Sequence, residues 1–280
     1  MISLACIGDI AVDLYVTIPK SYVGGISFNV AWNAREHGVD ARVYSAIGTD
    51  NEGMAVRETL ARTGFPTDSL LVREGATARQ RIVITPEGER VFDGYRAGVL
   101  STLSVRDLSG CGLDRCTAVH IPLSDGLEEL FDSVAFDLHG VTKIADLSID
   151  GPNQGGLEAS AQRYARCFDL LFVGGRPEHR VVIEDLSRTY PDRVFVLTLG
   201  RDGVVAFQGG ASFVEDARPV EQVVDTTGCG DGFQGAFIAR WLADRSDIRS
   251  ALVAGVMQGA KVASFLGATQ CVIDHAHGWT

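Results

Sequence analysis

Short apolar runs alternate along this chain with longer segments of helical periodicity, and no other feature restricts its fold as much. Strands are predicted at residues 4–8, 42–48, 118–122, 143–147, 170–173, 193–199 and 204–207. Helices are predicted from the Gly24-Gly25 pair to Gly38 and at residues 52–63, 126–138, 157–165, 177–190, 232–243 and 248–266. Strands that alternate with helices pair in parallel, and the helices cover both faces of the sheet. The sequence therefore predicts one α/β domain over residues 1–280, with a mainly parallel sheet sandwiched between helices.

One segment departs from this alternation. Residues 69–95 alternate between polar and apolar side chains and contain the turn Pro86-Glu87-Gly88, which is the pattern of a β-hairpin. An antiparallel hairpin inside a series of strands and helices predicts a small sheet that stands off the main one. Together with the strand-like residues after Asp13, it predicts a lid formed by about residues 13–23 and 76–97.

The overall composition limits the class of ligand. The 280 residues carry a net charge of −11, and 46% of them are hydrophobic, which suffices for a large core. Nucleic acid is excluded as the main partner, because phosphate contacts need clustered Lys and Arg. The hairpin arginines Arg79, Arg81 and Arg90 are unusual in such an acidic chain. Two of them alternate on one face, where they can meet an anionic group, although such arginines more often form a solvated face.

Cysteine usage and the N-terminal segment indicate the compartment. The six cysteines are scattered, without Cys-x-x-Cys pairs or histidines at zinc spacing, and are typical of free thiols in a cytosolic protein. The first 18 residues are apolar, but Asp9 and Asp13 interrupt them and no basic region precedes them, so they predict a strand and not a signal peptide. No apolar run is long enough for a membrane span. The prediction is a cytoplasmic protein without a membrane partner.

The run Asp225-Thr226-Thr227-Gly228-Cys229-Gly230-Asp231 leads into an apolar segment with helical spacing. Glycines just before a helix leave backbone N–H groups exposed, and together with the positive end of the helix dipole they form an anion site. Asp231 could then take a proton from a hydroxyl that attacks the bound anion. The alternative is a glycine-rich turn with Asp231 as a helix cap, and this pattern alone does not separate the two.

A second polar group lies near the N-terminus. Asp9 and Asp13 follow the first strand, where open α/β sheets bind ligands. The pair Gly24-Gly25 lets the backbone approach a ligand closely, and Asn29 offers both a donor and an acceptor to a sugar hydroxyl. The alternatives are that Asp9 is a turn residue and that the glycine pair is a plain loop before a helix.

The remaining candidates carry weaker signals. Asp146 and Asp150 end a predicted strand, and Glu178 opens a helix, where an acid is also favoured by the helix dipole. His275 and His277 lie in the tail, where histidines are more often solvated. Phe233 stands where a dinucleotide fingerprint needs its third glycine, and P-loop, serine-hydrolase and zinc-protease motifs are absent from the sequence. An anion site with a carboxylate, a polar site for a hydroxylated ligand and a lid are the parts that phosphoryl transfer to an alcohol requires.

At these residues the sequence resembles the ribokinase-like (PfkB) carbohydrate kinases. Gly24-Gly25 with Asn29, Ala31, Gly38 and Gly48 resembles the family's first signature, and residues 225–231 resemble its second. The two signatures lie in the expected order and separation, and the resemblance covers nearly the whole chain. It implies a ribokinase-like fold with a small β lid and an ATP-dependent kinase that acts on a sugar.

The resemblance also implies roles for individual residues. Asp231 would be the catalytic base, and the N–H groups of Gly228, Cys229 and Gly230 would form the anion site. The implied substrate-binding residues are Asp9, Asp13, Gly24, Gly25, Asn29, Arg79 and Tyr95. The implied ATP-binding residues are Thr198, Gly200, Gly203 and Thr226. Glu178 would bind Mg²⁺ through water, a monovalent cation such as K⁺ is a further implied cofactor, and pairing of lids between two chains implies a homodimer.

Three residues depart from the family pattern. Gly175 stands where the magnesium motif has Asn, Cys229 stands where a smaller residue is usual, and Ser27 stands where the first signature has Gly, Ala or Pro. The Ser27 difference is expected to bear on substrate choice and not on the class of reaction.

The substrate is less well defined by the sequence. The residues around Asp9 and Asp13, together with the run from Arg90 to Tyr95, resemble the fructoselysine 6-kinase branch. That branch implies transfer of the γ-phosphoryl group of ATP to the 6-hydroxyl of a fructosamine, whose ammonium groups suit an acidic site. The alternatives are kinases of ribose, fructose phosphates or nucleosides such as adenosine, and a non-catalytic sugar- or nucleotide-binding protein on the same fold.

Overall fold

A computed structural model describes residues 1–85, 90–148 and 156–274. The strands are β1 (Ser3–Ile7), β2 (Ala11–Tyr15), β3 (Lys20–Gly24), β4 (Asp40–Gly48), β5 (Leu70–Arg73), β6 (Arg79–Ile84), β7 (Arg90–Arg96), β8 (Ala118–Pro122), β9 (Thr142–Ser148), β10 (Leu170–Gly174), β11 (Val194–Thr198), β12 (Val204–Gln208), β13 (Ala211–Glu215) and β14 (Val272–Ile273). The helices are α1 (Ile26–Glu36), α2 (Asn51–Thr63), α3 (Val105–Leu108), α4 (Glu128–Phe136), α5 (Leu157–Tyr164), α6 (Arg180–Thr189), α7 (Cys229–Ala243) and α8 (Ile248–Ala263).

The main sheet confirms the predicted fold class. Its nine strands run in the order β13-β12-β11-β10-β9-β8-β1-β4-β5. All neighbours from β11 to β5 pair in parallel, and β12 and β13 add an antiparallel edge. Alternate side chains of the strands enter two separate cores, so that Leu4 and Cys6 of β1 pack on one face and Ala5 and Ile7 on the other. Such two-sided burial explains the nearly continuous apolar runs that the sequence shows at the central strands.

A second sheet of five strands, in the order β14-β3-β2-β6-β7, stands apart from the main one. We call it the small sheet. Its strands are antiparallel neighbours except for β2 and β6, which pair in parallel. The hairpin predicted between residues 69 and 95 therefore begins later, because β5 pairs with β4 in the main sheet and Leu71 packs against its core. Strands β3, β13 and β14 were not predicted.

Several element ends differ from the prediction. Helix α7 begins at Cys229 and not at Gly232, because Gly228 adopts a left-handed conformation (φ 73°) and its carbonyl already accepts the Gly232 N–H at 2.8 Å. The predicted helix 177–190 consists of a 3₁₀ turn, Pro177–His179, followed by α6. The turn Pro86-Glu87-Gly88, Asp150 and the tail histidines lie outside the described residues. Within the described part of the chain, we find no helix that is both long and apolar enough to cross a bilayer.

Candidate active site

The N-terminus of α7 presents free amides at the carboxyl edge of the main sheet. The N–H groups of Gly228, Gly230 and Asp231 have no acceptor among the described residues. The Cys229 N–H, which the resemblance assigns to the anion site, instead donates to the Thr226 carbonyl at 3.3 Å. These free amides lie at the start of a 15-residue helix, where the positive end of the helix dipole also favours an anion. The geometry therefore suits an anion, with the Asp231 amide taking the place expected for that of Cys229.

Gly228 and Gly230 of this turn differ in why a side chain is unfavourable there. Gly228 has a positive φ, and a Cβ atom there would lie 2.2 Å from Cβ of Ala268. Gly230 has an ordinary φ, and a Cβ atom there would meet nothing within 4 Å. Gly228 is thus required by the backbone and its packing, whereas Gly230 leaves open space in front of the free amides, where a phosphoryl group fits.

Asp231 lies in the first turn of α7 and is joined to α1. The Asn29 side chain donates from Nδ2 to Oδ2 of Asp231 at 2.8 Å. Asn29 is only 3% exposed, and its Oδ1 atom has no hydrogen-bond partner among the described residues. One end of the Asn29 amide therefore orients Asp231, and the other is left available to a ligand donor such as a hydroxyl.

The environment of Asp231 favours its neutral form more than water does. Burial, together with the charges of Asp146 and Asp9, raises the pKa of Asp231 to about 7, although the Asn29 hydrogen bond and Arg90 act in the opposite direction. Asp146 extends from β9 of the main sheet, and burial raises its pKa to about 6. A carboxylate with a pKa near neutral pH is suited to general-base catalysis, because it is ionised yet still holds a proton well.

Asp9 serves the fold as well as the site. Its two carboxylate oxygens accept the N–H groups of Ile26 at 2.8 Å and Ser27 at 3.0 Å, which are the first residues of α1. The carboxylate thus caps a helix on which Asn29 lies one turn further along. Gly25 precedes this helix with φ 101°, and a Cβ atom there would lie 2.8 Å from the Asp9 carbonyl oxygen. Asp9 and Gly25 therefore position α1.

Asp13 is the most exceptional carboxylate of the site. It is 4% exposed, yet it makes no hydrogen bond or ion pair among the described residues. A Cβ atom on Gly24 would lie 2.0 Å from its Oδ2 atom, so Gly24 is needed to let the carboxylate lie against the backbone. Burial and the charges of Asp9 and Asp231 raise the pKa of Asp13 well above its usual value. A buried carboxylate without a partner is costly unless a ligand completes its hydrogen bonds.

The register of the small sheet determines which of its side chains face the site. Asp13 pairs with Tyr22 on one side and with Gln80 on the other, and Gln80 pairs with Tyr95. Directly paired residues share a face of the sheet, so Tyr95 lies on the same face as Asp13. Partial desolvation and the charges of Asp9, Asp125 and Asp13 raise the pKa of Tyr95, a residue that is still 43% exposed. The structure thus places Tyr95 on the face that carries Asp13, and its part in substrate binding stays a prediction.

Arg79 lies on the other face of the small sheet. It precedes Gln80 in β6, and its guanidinium pairs with the buried carboxylate of Glu52 in α2. Arg96 binds the other oxygen of Glu52 at 3.0 Å. The prediction that Arg79 binds substrate is therefore not supported by its contacts, since its charge is used to hold the small sheet against α2. The alternating sequence of β6 indicates that its arginines share one face of the strand, but it does not indicate whether that face is turned toward the site.

Two other side chains connect the small sheet to the turn before α7, and sequence reasoning assigned neither a role. The Tyr15 hydroxyl donates to Oδ2 of Asp225, a carboxylate that also accepts the amides of Thr227 and Gly267. Arg90 of β7 donates from Nη1 to the Thr226 carbonyl at 3.2 Å. The small sheet is thus in direct contact with the anion site, as a lid requires.

The predicted nucleotide residues lie further along the same edge of the main sheet. Thr198 ends β11, and Gly200 (φ 61°) and Gly203 (φ 88°) form the tight turn to β12. A Cβ atom on Gly203 would lie 2.5 Å from a backbone oxygen of Glu215, so no other residue fits there. The hydroxyl of Thr226, beside the anion site, has no hydrogen-bond partner in the part of the chain that the structure describes. These positions are compatible with the predicted ATP site.

The predicted metal residue is exposed. Glu178 lies in the 3₁₀ turn after β10 and makes no contact that would occupy its carboxylate within the described chain. The described residues contain no cluster of three His, Cys, Asp or Glu side chains arranged around a metal. Mg²⁺ in kinases keeps several waters and is held by one or two carboxylates and by the substrate phosphates, so such a cluster is not required. Glu178 therefore remains a predicted ligand, through water.

The structure explains two of the departures from the family pattern. A side chain on Gly175 would meet Nδ1 of His179 at 2.8 Å, so an Asn there would need His179 to move. The Ser27 hydroxyl is fully buried and donates to the Ile7 carbonyl at 3.0 Å. It therefore joins α1 to β1, and these contacts do not support direct contact between Ser27 and a substrate.

Sequence comparisons agree with this geometry. The model of the pfkB family carbohydrate kinases matches residues 1–105 and 169–275. Fructoselysine 6-kinase of Escherichia coli is 27% identical over 96% of this chain and 100% of its own length. The ATP-dependent ribose-1-phosphate kinase of Halopiger xanaduensis is 28% identical over 88% of this chain and 81% of its own.

A solved structure shares the fold. The fructokinase double mutant of Vibrio cholerae, determined with fructose, ADP and a potassium ion bound, superimposes with a TM-score of 0.78 at 18% identity. The match covers 97% of this chain and 95% of that one. Taken with the family match over both signatures, these comparisons show that the chain belongs to the pfkB family of carbohydrate kinases and is an ATP-dependent sugar or nucleoside kinase.

Proposed function

We propose that this kinase phosphorylates a sugar that carries a cationic amine, namely the 6-hydroxyl of fructoselysine or a related fructosamine. The observation that carries the proposal is Asp13, a buried carboxylate without a partner at the centre of a group of acids. Burial and the charges of Asp9, Asp231 and Asp225 all raise its pKa, which outweighs the opposite effect of Arg90. An ammonium group compensates such charge, whereas a sugar phosphate is repelled by it.

The relatives support this choice in different degrees. The match to fructoselysine 6-kinase covers that protein from end to end, and the run from Arg90 to Tyr95 that resembles this branch lies beside the acidic site. The ribose-1-phosphate kinase is equally similar in identity, but its substrate carries a phosphate. The negative charge around Asp13 favours the first relative over the second as a guide to substrate.

The proposed reaction uses the groups at the two ends of the site. Asn29 holds a sugar hydroxyl, the Asp13 carboxylate faces the ammonium group, and Asp231 accepts the proton of the hydroxyl that attacks the γ-phosphorus of ATP. The free amides of Gly228, Gly230 and Asp231 hold the charge that develops on the phosphoryl oxygens. Mg²⁺, when bound with ATP, would neutralise phosphate charge near Glu178. A requirement for K⁺ remains a prediction. It is tested by replacing K⁺ in the assay with a large organic cation and measuring whether activity falls.

The proposal is tested by comparing kcat/KM for fructoselysine with the values for fructose, ribose, ribose 1-phosphate and adenosine. ADP release is measured, and the phosphorylated position is identified by phosphorus and carbon NMR of the product. We expect fructoselysine to be preferred by at least about tenfold, the effect of one interaction of 1.4 kcal/mol. A higher kcat/KM for any of the other four substrates would show that the fructosamine assignment is wrong.

A matched variant separates charge from shape. Asp13→Asn keeps the size of the side chain and its hydrogen-bonding capacity but removes the charge. If the ammonium is recognised through this carboxylate group, the variant loses more kcat/KM for fructoselysine than for fructose. An equal loss for both sugars would mean that Asp13 binds a hydroxyl common to them and would remove the main physical support for a cationic substrate.

A further inference from the structure

Arg90 differs from the other arginines of the small sheet. Arg79 and Arg96 pair with Glu52, and Arg81 pairs with Asp93 at 2.9 Å. Arg90 has no carboxylate partner within the described part of the chain, where its polar contact is the Thr226 carbonyl at 3.2 Å. A carbonyl is a weak partner for a guanidinium compared with an anion. Among the described residues, the exposed Arg90 is therefore a positive charge that no carboxylate pairs, beside a strongly negative site.

The register of the small sheet directs Arg90 toward the active site. Ile84 pairs with Arg90, Ile82 pairs with Phe92, and Ile82 also pairs with Tyr15 of β2. Ile82 and Ile84 share the face that carries Asp13, because they lie at even steps from Gln80 along β6. Phe92 and Arg90 share it as their direct partners, since the register shift between Gln80 and Ile82 precedes both pairs. The opposite face carries Arg79 and Arg81. The choice of face follows from the strand pairing and does not depend on the conformation of one long side chain.

The guanidinium is placed beside the turn that precedes α7 by two contacts. It lies 5.0 Å from the centre of the Phe92 ring, within the range of a cation–π contact, while Nη1 reaches Thr226. Thr226 is two residues before Gly228, where the free amides begin. The charge of Arg90 also acts on groups on both sides of this turn: burial raises the pKa values of Asp231, Asp13 and Cys229, and Arg90 opposes each of these increases.

We propose that Arg90 is a further catalytic residue, which leaves the Thr226 carbonyl when ATP is bound and donates to a non-bridging oxygen of the γ-phosphoryl group. The proposal rests on the proposed phosphoryl transfer but not on the identity of the sugar. In the reaction, the substrate oxygen forms a bond to the γ-phosphorus, and the bond from that phosphorus to the β–γ bridging oxygen breaks. ADP leaves with the electron pair, and the hydroxyl proton goes to Asp231. Arg90 keeps its proton throughout and stabilises charge in the transition state.

The test compares Arg90→Gln and Arg90→Lys with Arg81→Gln, using whichever sugar gives the highest wild-type kcat/KM. Arg81 is the matched control, because it lies in the same sheet, carries the same charge and faces away from the site. We expect Arg90→Gln to lower kcat by about 10²-fold or more, as loss of one donor to a developing oxyanion does elsewhere. Arg90→Lys should retain part of the activity, and Arg81→Gln should stay within about threefold of the wild type, a change of well under 1 kcal/mol.

Chemical rescue distinguishes a catalytic group from a structural one. Added guanidinium at millimolar concentration should restore activity to Arg90→Gln but not to Asp231→Asn, whereas a variant that has lost lid structure is not rescued. A thermal midpoint close to that of the wild type shows that the variant is folded. An unchanged kcat in Arg90→Gln, or a loss of kcat without rescue in a folded variant, would overturn the proposal for Arg90. A wild-type protein that phosphorylates no alcohol would instead overturn the proposed function.

Discussion

At the scale of single residues, Asp231 carries the clearest prediction. Its carboxylate is held by Asn29 at 2.8 Å, beside free amides that suit a phosphoryl group. Asp231→Asn keeps the shape of the side chain but removes the base, so we expect kcat to fall by at least about 10². The affinity for ATP should change little, because Asp231 contributes through the proton and not through nucleotide contacts. Single-turnover kinetics with an independent measurement of ATP binding separate the two effects, and full activity in this variant would contradict the mechanism.

The pH dependence tests the same residue without removing it. Burial raises the pKa of Asp231 to about 7, and a general base acts in its ionised form. We therefore expect kcat/KM to fall about tenfold per pH unit below about pH 7, as the base becomes protonated. The Asn29 hydrogen bond favours the ionised form, so Asn29→Ala should raise the pKa and move the acid limb to higher pH. The charges of Asp146 and Asp9 also raise the pKa of Asp231, and both residues are unchanged in the Asn29→Ala variant. An acid limb near pH 4 would argue against Asp231 as a buried base.

Residue-scale chemistry was only partly predictable from the sequence. Asp231 and Asn29 lie in dense local motifs, and the structure joins them as a hydrogen-bonded pair. The role of Arg90 depends on which face of β7 is turned inward, and the pairing of Arg79 with Glu52 depends on contact between α2 and the small sheet. Neither property is encoded within a short window of sequence. An arginine in a hairpin therefore identifies a charge, but only strand register shows where the charge is directed.

At the scale of elements, the start of α7 separates folding from catalysis. Gly228→Ala places a Cβ atom at a positive φ and 2.2 Å from Ala268, so it should lower the free energy of unfolding by roughly 1–3 kcal/mol. Gly230→Val meets no neighbour within 4 Å, so the fold should tolerate it, but the side chain occupies the space in front of the free amides. We expect Gly230→Val to lower kcat by at least about tenfold through the anion site. Denaturant unfolding and steady-state kinetics on both variants test this division, which an unaltered kcat in Gly230→Val would contradict.

The boundaries of elements were harder to predict than their existence. The apolar periodicity of α7 begins at Phe233, but the helix begins at Cys229, because the conformation of Gly228 starts the hydrogen bonding early. Strand β5 alternates like the hairpin that follows it, yet it pairs with β4 in the main sheet. Alternation reports that one face of a strand is buried, and it does not report which sheet provides the burial.

At the scale of the whole molecule, the fold was predictable because its central strands are buried on both faces. The run 170–173 is apolar throughout, and the run 118–122 is apolar except for the buried His120; they became β10 and β8 of the parallel sheet. The edges of the two sheets were less predictable: β13 has exposed residues, and β14 has only two residues. Edge strands bury fewer side chains, so their sequences carry less of the periodic signal on which the prediction depends.

The edges of the small sheet lead to a prediction about assembly. Strand β14 is one edge and is too short to extend the sheet, whereas β7 is the other and has seven residues, all of them exposed. Val91 in β7 is 51% exposed, and an exposed edge with apolar side chains is a template for pairing with another chain. We therefore expect a homodimer in solution, with the edges of two small sheets in contact.

Light scattering during gel filtration tests the dimer directly. Val91→Glu places like charges on two facing edges and should shift the mass from twice that of the chain to that of a single chain. Val181→Glu is the matched control, because Val181 is 66% exposed on α6, on the main sheet and away from β7. A wild-type protein that elutes as a monomer at micromolar concentration would contradict the prediction. If Val91→Glu remains dimeric, then β7 is not the interface. If both variants fold but only Val91→Glu dissociates, kcat can be measured on the same sample. A lower kcat in the monomer would show that pairing of the small sheets contributes to turnover, because it supports the strand that carries Arg90.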